Sequence, residues 1–424
     1  MKQMQEKIFC DLTNPQKSIL MSEQFFGDPH IFVIPSWAYI KSEVDFAVLE
    51  QAINYTVKNH DAHRTRFIKS GEKTCQYFET YTPFDVPKMV IDNIEELEDY
   101  LKSVTFDIYS NTPIKFVMFE NMSGPSGFAC VLHHLIGDAW SLSLILEETL
   151  KAYDQLMQTG SIQKLRCSSY KDFINSEEVY LSSEKFQKDK AYWEEKFSTN
   201  SEILSFRTNG KFFDTESARK SLKIPQELVM YCKENRISPF SFFFAAVSIY
   251  FSRITNSEEI IIGTPFLNRT NFAEKNSMGM FISTLPFKQI IDSNKTAFEY
   301  IKEIAVAQLG ALRHQKYPYA ELQRYYTAKF KRANNLYDIL FSYQNAQADL
   351  KSLSFDSESK WIYTDHQVES IVINISDIDG NNTLDINYDY LTSIFTEKEI
   401  ENINARIMNI AKQISKNSEI SCWY

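Results

Sequence analysis

The sequence predicts a mixed α/β (α+β) fold in two halves, and three observations carry that expectation. The chain has 424 residues, enough for two lobes of about 200 residues each. Helix-like and strand-like apolar patterns alternate along its whole length. No internal repeat and no linker rich in Pro, Gly or Ser interrupts them. The boundary is expected in the polar stretch 165–185, giving an N-terminal lobe over 1–176 and a C-terminal lobe over 177–424.

Each element follows from its residues. Ser42 to Lys58 reads as a helix with Leu49, Ala52, Ile53 and Val57 on one face, and the strand-like Thr65 to Ile68 follows it. Phe128 to Leu132 is a short apolar run, expected as a buried strand. Trp140 to Met157 carries Leu142, Ile145, Leu146, Leu150 and Tyr153 at helical spacing. A polar helix is expected around Ser183 to Phe197. Ser238-Pro239 has the form of an N-cap with proline at the first helical position, and the Phe-rich helix behind it, to about Arg253, is expected to be deeply buried. Ile260 to Ile262 reads as a buried strand. Thr396 and Glu399 make a capping box, Phe395 and Ile400 a hydrophobic staple, and Ile400, Ile403, Ile407, Ile410 and Ile414 mark the buried face of the last helix.

Composition excludes several classes. Apolar residues make up 44% and charged residues 24%, an ordinary globular balance. The net charge of −10 lacks the basic surplus that nucleic-acid binding needs. The longest near-apolar run, Phe242 to Phe251, is interrupted by Ser248 and falls short of the ~20 residues of a membrane span. Met1 to Cys10 has no apolar signal-peptide region, so a cytoplasmic protein without a membrane is expected, with a monomer as the default. Six scattered cysteines without a CxxC pair point to reduced thiols.

The sharpest local feature is Leu132-His133-His134-Leu135-Ile136-Gly137-Asp138-Ala139-Trp140-Ser141, at the end of an apolar strand and before a helix. Strand alternation sends His133 and His134 to opposite faces. His133 then reads as a hydrogen-bonded core histidine, and His134 as a general-base candidate. Asp138 fits an N-cap, and the N–H groups beside it suit developing negative charge. Cys130 and His133 have C-x-x-H spacing, but alternation separates them, so no metal is expected.

HHLIGDAWS resembles the HHxxxDG signature of the condensation domains of nonribosomal peptide synthetases, in the superfamily that includes chloramphenicol acetyltransferase. Further resemblances follow in family order. Leu12-Thr13-Asn14-Pro15-Gln16-Lys17 is similar to the opening motif, and Asn59 to Phe67 resembles RHExLRTxF. Ser169 to Phe173, with Tyr192-Trp193, resembles the segment closing the first lobe. Ile262 to Arg269 is similar to IGTPxxxR, Met278 to Leu285 to GxFVNTL, and His314 to Tyr319 to HQDYPFE.

The resemblance implies two chloramphenicol-acetyltransferase-like lobes in a V shape with a central tunnel. It implies an acyltransferase that joins a donor acyl thioester to an acceptor amine, both carried on phosphopantetheine arms of donor and acceptor carrier proteins, with an adenylation domain downstream. No cofactor bound by the chain itself is implied, and acyl-CoA is a possible donor. The signature residues His133, His134, Asp138 and Ala139 are the implied catalytic group. His134 serves as base or as positioner of the amine, and backbone N–H groups near Asp138-Ala139 are assigned to the oxyanion. The family's structural Asp–Arg pair is expected between Asp138 and Arg64. Trp140, Arg269, Phe281 and Thr284 are expected to line the tunnel.

Ala139 stands where the family usually has Gly, and would be strained if that position needs positive φ. Asn59, Asp61 and His63 also depart from the motif. Trp140 before Ser141 reads as condensation, whereas epimerisation domains have the reverse order. The opening LTNPQK, and a chain that begins only a few residues before it, favour the starter subtype, which acylates the first amino acid with a fatty acyl group. An elongation domain and a non-catalytic docking module of the same fold are the competing readings; a plant-type O-acyltransferase would show DFGWG, which is absent.

Overall fold

The structure is a computed structural model that describes residues 8–164, 167–207, 212–332, 335–344, 350–377 and 383–422. It divides into two compact units. The first takes the chain through Ser182 and adds Arg269–Phe281 and 350–364; the second takes Ser183–Asn268, Ile282 to 344 and the chain from Asp365. A single cut at 176/177 therefore does not describe the molecule. The physical reason is that two segments of the second half make their strand pairs and core contacts with the first.

The first unit is built on a five-stranded sheet ordered Ser357–Trp361, Val33–Ile40, Ser126–His133, Ile114–Asn121 and Lys88–Ile91. All pairs are antiparallel except the last, which is parallel. A smaller sheet joins Cys10–Asp11, Lys73–Phe78 and Thr65–Ser70. The central strand Ser126–His133 shows why the sheet is covered on both faces. Phe128, Cys130 and Leu132 enter one core with Leu49, Ile53, Leu142 and Leu146, while Ala129 and Val131 enter another with Trp37, Leu97 and Phe119. The period of two is that of a strand, and continuous apolarity means that neither face meets water.

The helices Phe46–Asn59 and Ala139–Thr159 supply the first of these cores. Leu49, Ala52, Ile53 and Val57 are buried as the helical spacing predicts. The two helices share a buried hydroxyl pair, Thr56 Oγ1 to Thr149 Oγ1 at 3.0 Å.

The second unit holds a six-stranded sheet ordered Ser283–Ile290, Glu259–Phe266, Ile339–Gln344, Ile371–Ser376, Asp385–Leu391 and Ser217–Lys223. Its three central strands run parallel and the outer pairs antiparallel. The helix Pro239–Thr255 is buried from Phe240 through Ser252. Phe240 and Phe244 pack edge-on against Phe287 and Phe341, so its Phe-rich sequence is accounted for by the core. Ser238 takes the N-cap place, but its hydroxyl makes no capping bond. The helix Glu397–Lys416 starts with the full Thr396/Glu399 capping box and buries all five predicted isoleucines. Among the described residues no single helix is long and apolar enough to cross a membrane; the bent pair Gln226–Glu234 and Pro239–Thr255 passes that test together, and its second helix is this core helix. All six cysteines are free thiols.

Candidate active site

The central strand of the first unit ends at His133. The chain then turns through one 3-10 turn, His134–Ile136, extends at Gly137, and enters the helix Ala139–Thr159 with Asp138 as N-cap. His134 N–H donates to the Phe32 carbonyl at 2.8 Å, which ties the turn to the neighbouring strand. Its imidazole Nδ1 lies 3.1 Å from the Gly137 carbonyl. A carbonyl only accepts, so Nδ1 carries the proton and Nε2 keeps its lone pair. Burial lowers the His134 pKa to about 4, and the charge of Asp138 opposes this without overcoming it. The side chain remains partly exposed. At neutral pH it is an uncharged acceptor with one defined tautomer.

Asp138 is fully buried and saturated. Its Oδ1 accepts from Ser141 N–H and from the Ser141 hydroxyl, both at 2.9 Å. Its Oδ2 accepts from Arg269 Nη1 at 2.5 Å and from Phe281 N–H at 3.2 Å. Burial alone would raise the pKa of this carboxyl; the Arg269 charge and these hydrogen bonds outweigh it and bring it below the usual carboxylate range. Arg269 Nη2 also reaches Ser141 Oγ and the carbonyls of Ser277 and Gly279, and its guanidinium lies over the Phe281 ring, 4.0 Å from the centroid. Gly279 closes this knot. It has φ +151°, and a Cβ there would sit 2.0 Å from the Tyr170 ring, so only glycine fits.

Several expectations change. The partner of Asp138 is Arg269 and not Arg64. Arg64 ends the 3-10 turn Asp61–Arg64 behind the helix Phe46–Asn59, and its guanidinium donates to the carbonyls of Val57, Lys58, His60 and Glu79. A cation there satisfies the orphan carbonyls of a helix C-terminus, and those bonds hold the guanidinium at that helix end, while Asp138 is paired with Arg269. Arg269 and Phe281, expected in a tunnel wall, are instead buried in the first unit; Phe281 packs against Phe173 with ring centroids 4.1 Å apart.

His133 is not available for chemistry either. It is fully buried, its Nδ1 accepts from Leu135 N–H at 3.1 Å, and its Nε2 faces Glu23 Oε1 at 3.1 Å, in line with the core-histidine reading. Asp138, with both oxygens occupied, can position but has no free direction for a reacting group. Ala139 begins the helix and is not among the residues with positive φ, so the backbone strain considered for it does not arise. Trp140 is half-buried, and its indole donates to the Lys275 carbonyl at 2.9 Å. Thr284 lies in the second unit, on Ser283–Ile290 opposite Pro265.

Sequence reasoning passed over Ser141, Gln16, Glu23 and Tyr170. Gln16 is fully buried and donates to the Leu135 carbonyl at 2.8 Å. The Tyr170 hydroxyl donates to the Met280 carbonyl at 2.9 Å. Asp61, a departure from the motif, accepts from Tyr170 N–H at 2.8 Å and from the Ser169 hydroxyl. A signal was present for Gln16 and Tyr170, which sit in motifs that carry no obvious chemistry, and for Ser141 in the signature itself; Glu23 lies outside every motif and gave none.

The family model for the condensation domain matches residues 6–422. The chain belongs to the condensation domain family. Condensation domains are acyltransferases that form amide bonds in nonribosomal peptide synthesis, using substrates held on phosphopantetheine arms. Among curated relatives, this condensation domain is 27% identical to surfactin synthase subunit 1 of Bacillus subtilis (strain 168) over 98% of its length, covering 12% of that protein. It is 25% identical to gramicidin S synthase 2 of Brevibacillus brevis over 97% of its length, covering 9% of it. The chain thus spans a small fraction of these relatives. Its fold is similar to that of a variant of the starter condensation domain of rhizomide synthetase in complex with C8-CoA, at TM-score 0.85, 17% identity and coverage of 98% and 96% of the two chains. It is also similar to the first condensation domain of the calcium-dependent antibiotic synthetase, at TM-score 0.83, 15% identity and 98% coverage of both chains.

Proposed function

We propose that this condensation domain joins a donor acyl thioester to the amine of an aminoacyl thioester on a carrier protein, with His134 as the group that handles the amine proton. The observation that carries the reading is the state of the His134 imidazole, which is neutral, with its proton on Nδ1 and its lone pair on Nε2. The amine nitrogen attacks the thioester carbon, the C–N bond forms, and the carbonyl oxygen becomes an oxyanion. The attacking nitrogen now bears positive charge and has become a strong acid. A base as weak as this imidazole accepts its proton at that stage, although it would not take one from a free ammonium. The C–S bond then breaks, and the proton passes to the departing thiolate. We assign the oxyanion to the first-turn N–H groups at Ala139 and Trp140, which precede the first intrahelical bond, Leu142 N–H to Asp138 C=O.

The donor we infer is a fatty acyl group, supplied on a carrier or as acyl-CoA, which would make this a starter domain. The opening motif supports that reading, and so does the likeness to a starter domain with bound C8-CoA. Donor and acceptor carrier proteins and a downstream adenylation domain would be its partners. The test is a mass-spectrometric amide-formation assay with a panel of acyl-CoAs, carrier-loaded acyl groups and aminoacyl donors, with His134→Ala as control. A fatty-acyl amide that disappears in His134→Ala is the expected result. Product from aminoacyl donors alone would make it an elongation domain, and near-wild-type turnover in His134→Ala would overturn the assignment of His134.

A further inference from the structure

We infer that the helix Asn14–Phe26 is a splint that positions His134, and that Gln16 and Glu23 are its two positioning residues. The inference rests on the reading of His134 as the reacting imidazole. His134 is followed by Leu135, and both backbone polar groups of Leu135 are pinned by side chains. Its carbonyl accepts from Gln16 Nε2 at 2.8 Å. Its N–H donates to His133 Nδ1 at 3.1 Å. An Nδ1 that accepts leaves the His133 proton on Nε2, so Nε2–H donates to Glu23 Oε1 at 3.1 Å. Both ties therefore trace to one helix, at positions seven residues apart and so on one face.

Each tie is itself held in place. Gln16 forms a reciprocal amide pair with Gln76, at 2.9 and 2.8 Å, and its Oε1 also accepts from Thr13 N–H at 2.9 Å. This uses both hydrogens of its amide and fixes the carboxamide plane. Gln16 and His133 are fully buried, where a hydrogen bond holds geometry most firmly. The turn between the pins is short. Rotating the Leu135 peptide would swing the Gly137 carbonyl, which holds Nδ1–H of His134. Loss of either pin should therefore loosen the tautomer and aim of the reacting ring.

The test combines two substitutions with a readout that does not depend on turnover. Gln16→Met keeps length and removes the donor to Leu135. Glu23→Leu removes the acceptor for His133 at a site near the surface, where folding is least at risk, and Glu23→Gln retains an acceptor. With circular dichroism showing an intact fold, Gln16→Met and Glu23→Leu should each lower kcat about tenfold or more at unchanged KM, and Glu23→Gln should restore it. The 15N shifts of the His134 ring, recorded without substrate, should move from one tautomer toward a mixture in the first two variants only. In the His134→Ala background Gln16→Met should cost nothing further. Folded Glu23→Leu and Gln16→Met enzymes with kcat within twofold of wild type and an unchanged His134 tautomer would overturn the proposal. If Gln16→Met fails to fold, the two Glu23 variants alone decide it. Retained activity in His134→Ala would instead overturn the role of His134, and the tautomer measurement would still decide whether the splint fixes the ring.

Discussion

At the scale of single residues, Arg269 and Arg64 show how far burial separates two arginines that both sit in family motifs. Arg269 is sealed against Asp138, whereas half-buried Arg64 serves backbone carbonyls. Breaking a buried ion pair strands the remaining charge, at a cost of about 3–5 kcal/mol; losing hydrogen bonds to carbonyls that water can then reach costs about 1–3 kcal/mol. Arg269→Ala should therefore lower the urea midpoint more than Arg64→Ala, and the reverse order would contradict the pairing. Which arginine meets Asp138 was not legible in the sequence. The deciding fact is where a segment more than a hundred residues downstream lies, and spacing does not encode that. The loop HHLIGDAWS itself was legible, because a strand end, an N-cap and a pair of histidines are all local signals.

Histidine titration belongs to the same scale. His63 is fully buried, and neither ring nitrogen has a hydrogen-bond partner among the described residues. Burial, then the neighbouring His60 and Arg64, holds its pKa well below the ordinary value. His134 is lowered to about 4. Both rings resist in the fold a proton that they accept when unfolded at their usual value of about 6.5. Stability is therefore fully present above about pH 6.5 and is lost as pH falls below it, by on the order of 1–2 kcal/mol per histidine at pH 5. Urea midpoints at pH 5 and pH 7 check this, and His63→Met should flatten the difference. Turnover should show no limb near pH 6.5, because His134 does not titrate there; its rise should follow the acceptor amine.

At the scale of elements, prediction succeeded where one period or one cap governs. The last helix has its capping box and its isoleucine face because both are written within a few residues. Thr396→Ala should cost about 1 kcal/mol in thermal unfolding with activity unchanged, and loss of turnover would show that the helix does more than pack. The strand Phe128–Leu132 was legible as buried, and its extension to Ser126 and His133 follows from full pairing with Val33–Ile40. Phe281 was misread for the opposite reason. An aromatic residue in a motif looks like a substrate wall, but a guanidinium and the rings of Tyr170 and Phe173 enclose this one.

At the scale of the whole molecule, the two units do not follow the order of the chain. The first unit needs Arg269 for the buried Asp138 and needs Ser357–Trp361 as the strand that pairs with Val33–Ile40. A fragment ending at Ser182 would bury an unpaired carboxylate and expose the edge of its main sheet. Expressed alone, it should lack a cooperative unfolding transition; a sharp calorimetric peak would show that the borrowed segments are dispensable. The two-lobe expectation from length was sound in number, but composition carries no trace of segments that return to an earlier unit.

That borrowing also sets a timetable for the ribosome. The first unit cannot finish its sheet until residue 361 has been made and has left the exit tunnel. At roughly 5–20 residues per second, this comes on the order of ten to tens of seconds after Ser182. For the first part of that interval, until Arg269 emerges, the growing chain carries Asp138 without its arginine, and for all of it Val33–Ile40 lacks its outer neighbour; it is then that a chaperone would have most to protect.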